Sequence, residues 1–228
     1  MQTVIETKSL CKQYGTRMAV DHVELHVPQG CVYGFIGPNG AGKSTTMKML
    51  LGLIHPTSGS VRLLGQPLTR ESRLALLRQT GSLIENPAGY LHLTAQENLE
   101  IVARMQPGGR DVRVQERVRK ALGMVGLGAV EARYPAELSQ GECRRVELAR
   151  AIINNPAILV LDELLANLDE DTIWDILHLL SECNRLGTTI IMATHAKKFV
   201  NMLRKRVITL VDGRIFGDVQ KGRYGDVV

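Results

Sequence analysis

The chain has 228 residues, 44% of them hydrophobic and 22% charged, with a formal net charge of +5; this fits one large domain, or one domain with a small subdomain, and is ordinary for a globular protein. Its four cysteines (Cys11, Cys31, Cys143 and Cys183) are far apart and form no CxxC pair, which argues against a zinc site or a disulfide framework and for a reducing, cytoplasmic compartment. No window approaches the roughly 18 uncharged apolar residues that cross a bilayer, the N-terminus lacks a signal peptide's apolar core, and the densest basic cluster, Arg204 to Arg206, is too short for a nucleic-acid patch but suits the inner face of a membrane.

In chain order, "VIETKSL", "VELHVP" and "SVRLLG" alternate as strands of an antiparallel layer. "CVYGFIG", Cys31 to Gly37, is a core strand ending in glycines, and it opens into the helical "KSTTMKMLLGL". Helical segments follow around Arg70 to Arg78, Thr94 to Met105 and Val112 to Val125; Thr94 and Glu97 have capping-box spacing. "SQGECRRVELARAIINN" is another helix, and "AILVL" a strand buried on both faces. "DEDTIWDILHLLSECNRLG" reads as a long amphipathic helix ending at Gly187, with Trp174 among its apolar positions, and "TTIIMAT" as a further buried strand. "VITLVDGRIFGDV" is a hairpin turned by Asp212-Gly213. Strand–helix alternation gives an α/β fold with a mostly parallel sheet. The division expected is a core of residues 1–83 and 153–228, with residues 84–152 as an inserted helical subdomain.

"GPNGAGKS", Gly37 to Ser44, fits G-x-x-x-x-G-K-[ST] between a strand and a helix, a phosphate loop. Its glycines Gly37, Gly40 and Gly42, with Pro38, Asn39 and Ala41 between them, let backbone N–H groups curl around an anion, and the helix N-terminus adds partial positive charge. Lys43 should reach the β- and γ-phosphates, and Ser44, followed by Thr45, should ligate Mg²⁺. "AILVL" then runs into Asp162 and Glu163, with a third acid at Asp169. Acids rarely end a buried strand without a partner. In a phosphate-loop fold the aspartate ending a neighbouring core strand holds the Mg²⁺ shell, the place of Asp162. Glu163 is then next to the γ-phosphate, where a carboxylate polarises an attacking water. That second acid suits ATP hydrolysis, which a kinase does not perform.

The motifs resemble those of the ATP-binding-cassette (ABC) ATPases, in that family's order and over nearly the whole chain. "LSQGE", Leu138 to Glu142, is similar to the signature Leu-Ser-Gly-Gly-Gln; "ANLD", Ala166 to Asp169, resembles the loop at the dimer interface; "ATH", Ala193 to His195, resembles the switch histidine. Tyr14 stands where an aromatic stacks on adenine in that family. The resemblance implies an ATP- and Mg²⁺-dependent ATPase. It forms a head-to-tail homodimer, or a heterodimer with a second cassette, in which Ser139, Gly141 and Glu142 face the nucleotide of the other subunit. It works at the inner face of the cell membrane with an integral-membrane permease and no nucleic acid. Each residue also has a plainer reading: Ser139 and Glu142 form a capping box, a lone His195 fits a core position, and Tyr14 suits strand packing.

The family has Gln in the loop joining sheet to helical subdomain; "SLIENPAGYLHLTAQENL" puts Glu85 there, a third metal-site candidate beside Ser44 and Asp162. Its extra charge should make the site more dependent on metal. Leu164 replaces the proline that follows the catalytic glutamate, Arg144 a glutamine, and Ala196 an acid. The N-terminal half resembles bacitracin and lantibiotic exporter ATPases, and the C-terminal third the cell-division cassette ATPases of the FtsE type. The expected function is thus an exporter ATPase, or a non-transporting ATPase that signals through the membrane.

Overall fold

A computed structural model describes residues 2–84, 89–105, 113–195 and 197–222. The chain opens with two long strands, β1 (Thr3–Tyr14) and β2 (Arg17–Pro28), joined at Gly15 and paired antiparallel. Next, β3 (Val32–Ile36) enters the core, and α1 (Lys43–Leu50) leaves it. The strands β4 (Ser58–Leu63) and β5 (Gln66–Pro67) complete a four-stranded antiparallel sheet of order β2-β1-β4-β5, the layer expected from the alternating pattern.

A short helix α2 (Arg73–Leu77) leads to β6 (Thr80–Leu83). The segment 84–152 then holds α3 (Ala95–Arg104), α4 (Val114–Met124), a 3-10 turn at Pro135–Glu137 and α5 (Gln140–Ile152), with no strand among its described residues. The remaining elements are β7 (Ile158–Asp162), α6 (Glu170–Arg185), β8 (Thr189–Ala193), α7 (Lys197–Leu203), β9 (Arg206–Val211) and β10 (Arg214–Val219). The second sheet has order β10-β9-β3-β8-β7-β6, parallel throughout except for the β9–β10 hairpin. All five residues of β7 and of β8 are buried, as continuous apolar runs in a parallel sheet require.

Among the described residues two large apolar clusters hold the layers, beside a small third one of Ile36, Val200 and Val207. One lies between the antiparallel layer, α1 and one face of the core sheet, around Tyr33, Phe35, Met47 and Ile191. The other joins α3, α4, α5 and α6 to the opposite face, around Leu99, Leu122, Leu148, Leu159 and Ile176; Trp174 packs at its margin. Adjacent strand residues thus serve different clusters: Ile158 and Val160 face one, Leu159 and Leu161 the other.

Candidate active site

The phosphate loop is shaped by sterics that only glycine meets. A Cβ on Gly37 would lie 2.2 Å from the Leu210 carbonyl oxygen, and one on Gly42 would lie 2.3 Å from the Ala19 carbonyl oxygen. Gly37, Gly40 and Gly42 also take φ of 149°, 81° and 99°, which side-chain-bearing residues avoid. The loop is held from outside by the C-terminal hairpin, where the Gly213 N–H donates to the Ala41 carbonyl at 3.1 Å. Pro38, Asn39 and Gly40 are exposed at its rim.

Gly42 is the N-cap of α1 and makes no side-chain cap hydrogen bond, and the first turn carries no acid. Lys43 folds back into the loop; it is 6% exposed, and its ammonium donates to the Gly37 and Pro38 carbonyls at 2.9 and 3.1 Å. A buried cation resting on neutral carbonyls, a helix N-terminus and a glycine cradle together form an anion site. Ser44 and Thr45 are half-buried in the first turn of α1.

The acids and the histidine come to the same edge of the sheet. Phe35, Ala193 and Asp162 share one rung across β3, β8 and β7, so the chain leaves all three strands side by side. The acid-ended apolar run predicts a strand of Asp162 next to that of the loop. Instead β8 lies between them, and this is why His195, just past β8, reaches the acid. The Glu163 N–H donates to the Ala193 carbonyl at 3.0 Å, and the Thr194 N–H to that of Phe35 at 3.3 Å. Asp162 is 3% exposed. Glu163 turns outward in a left-handed conformation, φ 51°, and its Oε2 lies 2.8 Å from His195 Nδ1. A strained acid held by a histidine at a strand edge is the kind of backbone outlier that clusters at functional sites.

Asp169 is the N-cap of α6. Its carboxylate accepts from the Thr172 N–H at 2.9 Å and the Thr172 hydroxyl at 2.7 Å; those bonds, the hydroxyl's first, hold its pKa below the usual carboxylate value. Ser139 caps α5 through the box expected: its hydroxyl accepts from the Glu142 N–H at 3.2 Å, and Glu142 Oε2 accepts from the Ser139 N–H at 2.7 Å. Gly141 faces Thr172, with room for a Cβ only at 3.1 Å from the threonine methyl. The starts of α5 and α6 therefore touch, joining the signature segment to the Asp169 cap.

Tyr14 is half-exposed at the tip of β1, with Lys12 Nζ 5.1 Å above its ring. Its cross-strand partner Arg17 reaches the Gly40 carbonyl at 3.5 Å, so the tip of this hairpin meets the phosphate loop. No motif marks Arg17 in the sequence; its position opposite Tyr14 in a tight hairpin is the available signal. Leu164, where proline was expected, is fully buried, and Arg144 pairs with Glu147 at 2.9 Å. Glu85 and Ala196 lie outside the described residues.

A phosphate loop, an acid pair and a histidine on one edge of a parallel sheet define a nucleotide-hydrolysing cassette. The sequence profile of the ABC transporter family matches residues 20–166. The bacitracin transport ATP-binding protein BcrA of Enterococcus faecalis is 38% identical over 96% of this chain and 70% of its own length. The cell division ATP-binding protein FtsE of Streptococcus pneumoniae is 38% identical over 98% of both chains. A dimeric ATP-binding cassette solved in a post-hydrolysis state with ADP and phosphate superposes with a TM-score of 0.87 at 28% identity, covering 96% of this chain and all of that one. The chain belongs to the ABC transporter family and is an ATP-binding and hydrolysing ATPase subunit.

Proposed function

We propose that Glu163 is the group that activates water in this ATPase, and that the chain works as an ATP-dependent dimer beneath a separate integral-membrane permease, at the inner face of the cell membrane. The carrying observation is the Glu163–His195 contact of 2.8 Å at the edge where the loop opens. His195 fixes the carboxylate's direction, leaving the second oxygen to accept a proton from water. Lys43 and the N–H groups of residues 39–45 hold phosphate oxygens. Mg²⁺, when bound, neutralises phosphate charge; Ser44 and Asp162 have the oxygen donors it takes, with Glu85 as a further candidate. Tyr14 supplies a face for the adenine, and the cap at Ser139 offers a hydroxyl and a helix N-terminus to the nucleotide of the opposite subunit.

Glu163→Gln should still bind MgATP but hydrolyse it about 10² to 10⁴ times more slowly, the effect of losing a positioned base. Turnover within a few-fold of wild type would remove Glu163 from the mechanism.

The cargo we infer is an antimicrobial peptide or lipid-linked compound, as the 38% identity to the bacitracin transport subunit supports. A second reading, a non-transporting ATPase that signals in cell division, is favoured by the end-to-end match to FtsE, 98% of each chain. Identifying the membrane protein that co-purifies with the chain separates them. A six-helix permease supports export, and a four-helix protein with a large extracellular domain supports signalling.

A further inference from the structure

Away from the nucleotide edge, three donor atoms converge in the antiparallel layer. Cys11 on β1 and the pair Asp21 and His22 on β2 each offer one ligand atom, and the three atoms lie within 4.8 Å of one another. A regular strand would not give this, because consecutive residues point to opposite faces and Asp21 and His22 would diverge. A bulge brings them together. The register runs from Leu10↔Val23 to Lys12↔Val20, so two residues of β2 oppose Cys11 alone. His22 takes φ 51°, and its backbone N–H donates to Cys11 Sγ at 3.2 Å.

We propose that Cys11 Sγ, Asp21 Oδ1 and His22 Nδ1 bind a single Zn²⁺, with solvent in the fourth position. Thiolate, imidazole and carboxylate together are a zinc donor set. From the bond lengths zinc makes to them, tetrahedral donors stand about 3.3 to 3.8 Å apart. The three donor atoms lie within 4.8 Å of one another, and the 2.5 Å contact between His22 Nδ1 and Asp21 Oδ1 opens by about 1 Å on side-chain rotation to admit the ion. Thiolate and carboxylate balance the ion's two charges. The thiol proton passes to solvent, and Nδ1 is free to ligate when the imidazole proton is on Nε2.

The surroundings are also those of a ligand set. Asp21 Oδ2 is held by Arg214, through Nε at 2.7 Å and a terminal nitrogen at 2.6 Å. This leaves Oδ1 facing the imidazole, the outer-shell support that metal-binding carboxylates have. Cys11 is 3% exposed, whereas the His22 side chain is 72% exposed, so the ion would enter over the histidine. The Asp21 N–H donates to the Gly213 carbonyl, and the Gly213 N–H to Ala41. The triad is thus separate from the ATP site but braced to the same loop.

The test uses the full chain, stripped of metal and nucleotide. Zn²⁺ is titrated against a chromophoric chelator, and Co²⁺ serves as the spectroscopic probe. One ion should bind per chain, Co²⁺ should show thiolate-to-metal charge-transfer absorption, and Zn²⁺ should raise the melting temperature. His22→Gly suits the left-handed backbone, so it keeps the bulge while removing a ligand. It should weaken Zn²⁺ binding at least about tenfold, the lower bound even for outer-shell losses, and abolish the thermal shift. Cys11→Ser should abolish the charge-transfer band. Absence of a stoichiometric ion overturns the proposal, as does wild-type binding in His22→Gly, which would place the ion on other cysteines or histidines.

Discussion

At the level of single residues, Glu163 shows a conflict between conformation and chemistry. Its φ of 51° places a side-chain-bearing residue in left-handed space, at a cost of about 1–2 kcal/mol. Glycine would remove that strain and add about 0.5–1 kcal/mol of unfolded-state entropy. Glu163→Gly should therefore lose hydrolysis without lowering the melting temperature, whereas most substitutions destabilise. Calorimetry and an ATPase assay on the same preparation check this; a clear drop in melting temperature would mean that the conformation carries no strain. The acids themselves were legible in sequence, because carboxylates ending a buried apolar run need a reason. The strain and the His195 contact were not, since both depend on β8 lying between β3 and β7.

Among the elements, the N-termini of α5 and α6 each combine a structural cap with a proposed role. Ser139→Ala should cost about 1 kcal/mol of stability as a lost N-cap. Ser139→Asp keeps a good cap but puts a carboxylate where a phosphate would bind. It should therefore melt like wild type and fail to dimerise with ATP, as sedimentation on a hydrolysis-deficient background would show. ATP-driven dimers of Ser139→Asp would leave Ser139 as a cap and nothing more.

Acid titration probes the α6 cap. The Thr172 hydroxyl and N–H hold the folded Asp169 pKa below its ordinary 3.8. Its stabilisation is therefore complete above that value and lost as pH falls through the lower, folded one. Wild type and Asp169→Asn should differ in melting temperature at pH 6 and converge as the pH drops below 3.8.

Helices with capping boxes were the easiest elements to read. The strand β6 was missed because "TGSL" is short and polar; Gly81 is there because a Cβ would meet the Ala151 carbonyl of α5 at 2.1 Å. The seven-residue α7 was too short for its period to show. The zinc triad left no CxxC signature, since the bulge joins residues from two strands.

For the molecule as a whole, the sequence showed both sheets and the order of the motifs, because buried parallel strands read as continuous apolar runs. It did not show which strands neighbour one another, a property of tertiary pairing. Function at this scale turns on communication with a membrane partner; no helix among the described residues is long and apolar enough to cross the bilayer itself. In the proposed site Glu85 is a further metal-ligand candidate beside Ser44 and Asp162. Its charge is compensated only with a cation bound, so Glu85→Gln should bind ATP about as well yet need less Mg²⁺ for half-maximal hydrolysis, and stimulation by the partner should change. Superimposable Mg²⁺ titrations of mutant and wild type, with and without the partner, would make Glu85 a spacer.

The hairpin that clamps the phosphate loop also fixes when the loop can work. Residues 37 to 44 are made early, but β3 finds its two sheet neighbours only in β8 and β9, from Thr189 onward. The wall against Gly37 is the Leu210 carbonyl, and the donor to Ala41 is Gly213. A chain still being translated carries the whole loop without its enclosure. Nucleotide can therefore find the enclosed site only after the chain has been made through Gly213, and the long-range pairing that closes it belongs to the slow class of folding events. Truncated translation products would hold no nucleotide and could not compete with finished subunits for a partner by an ATP-dependent route.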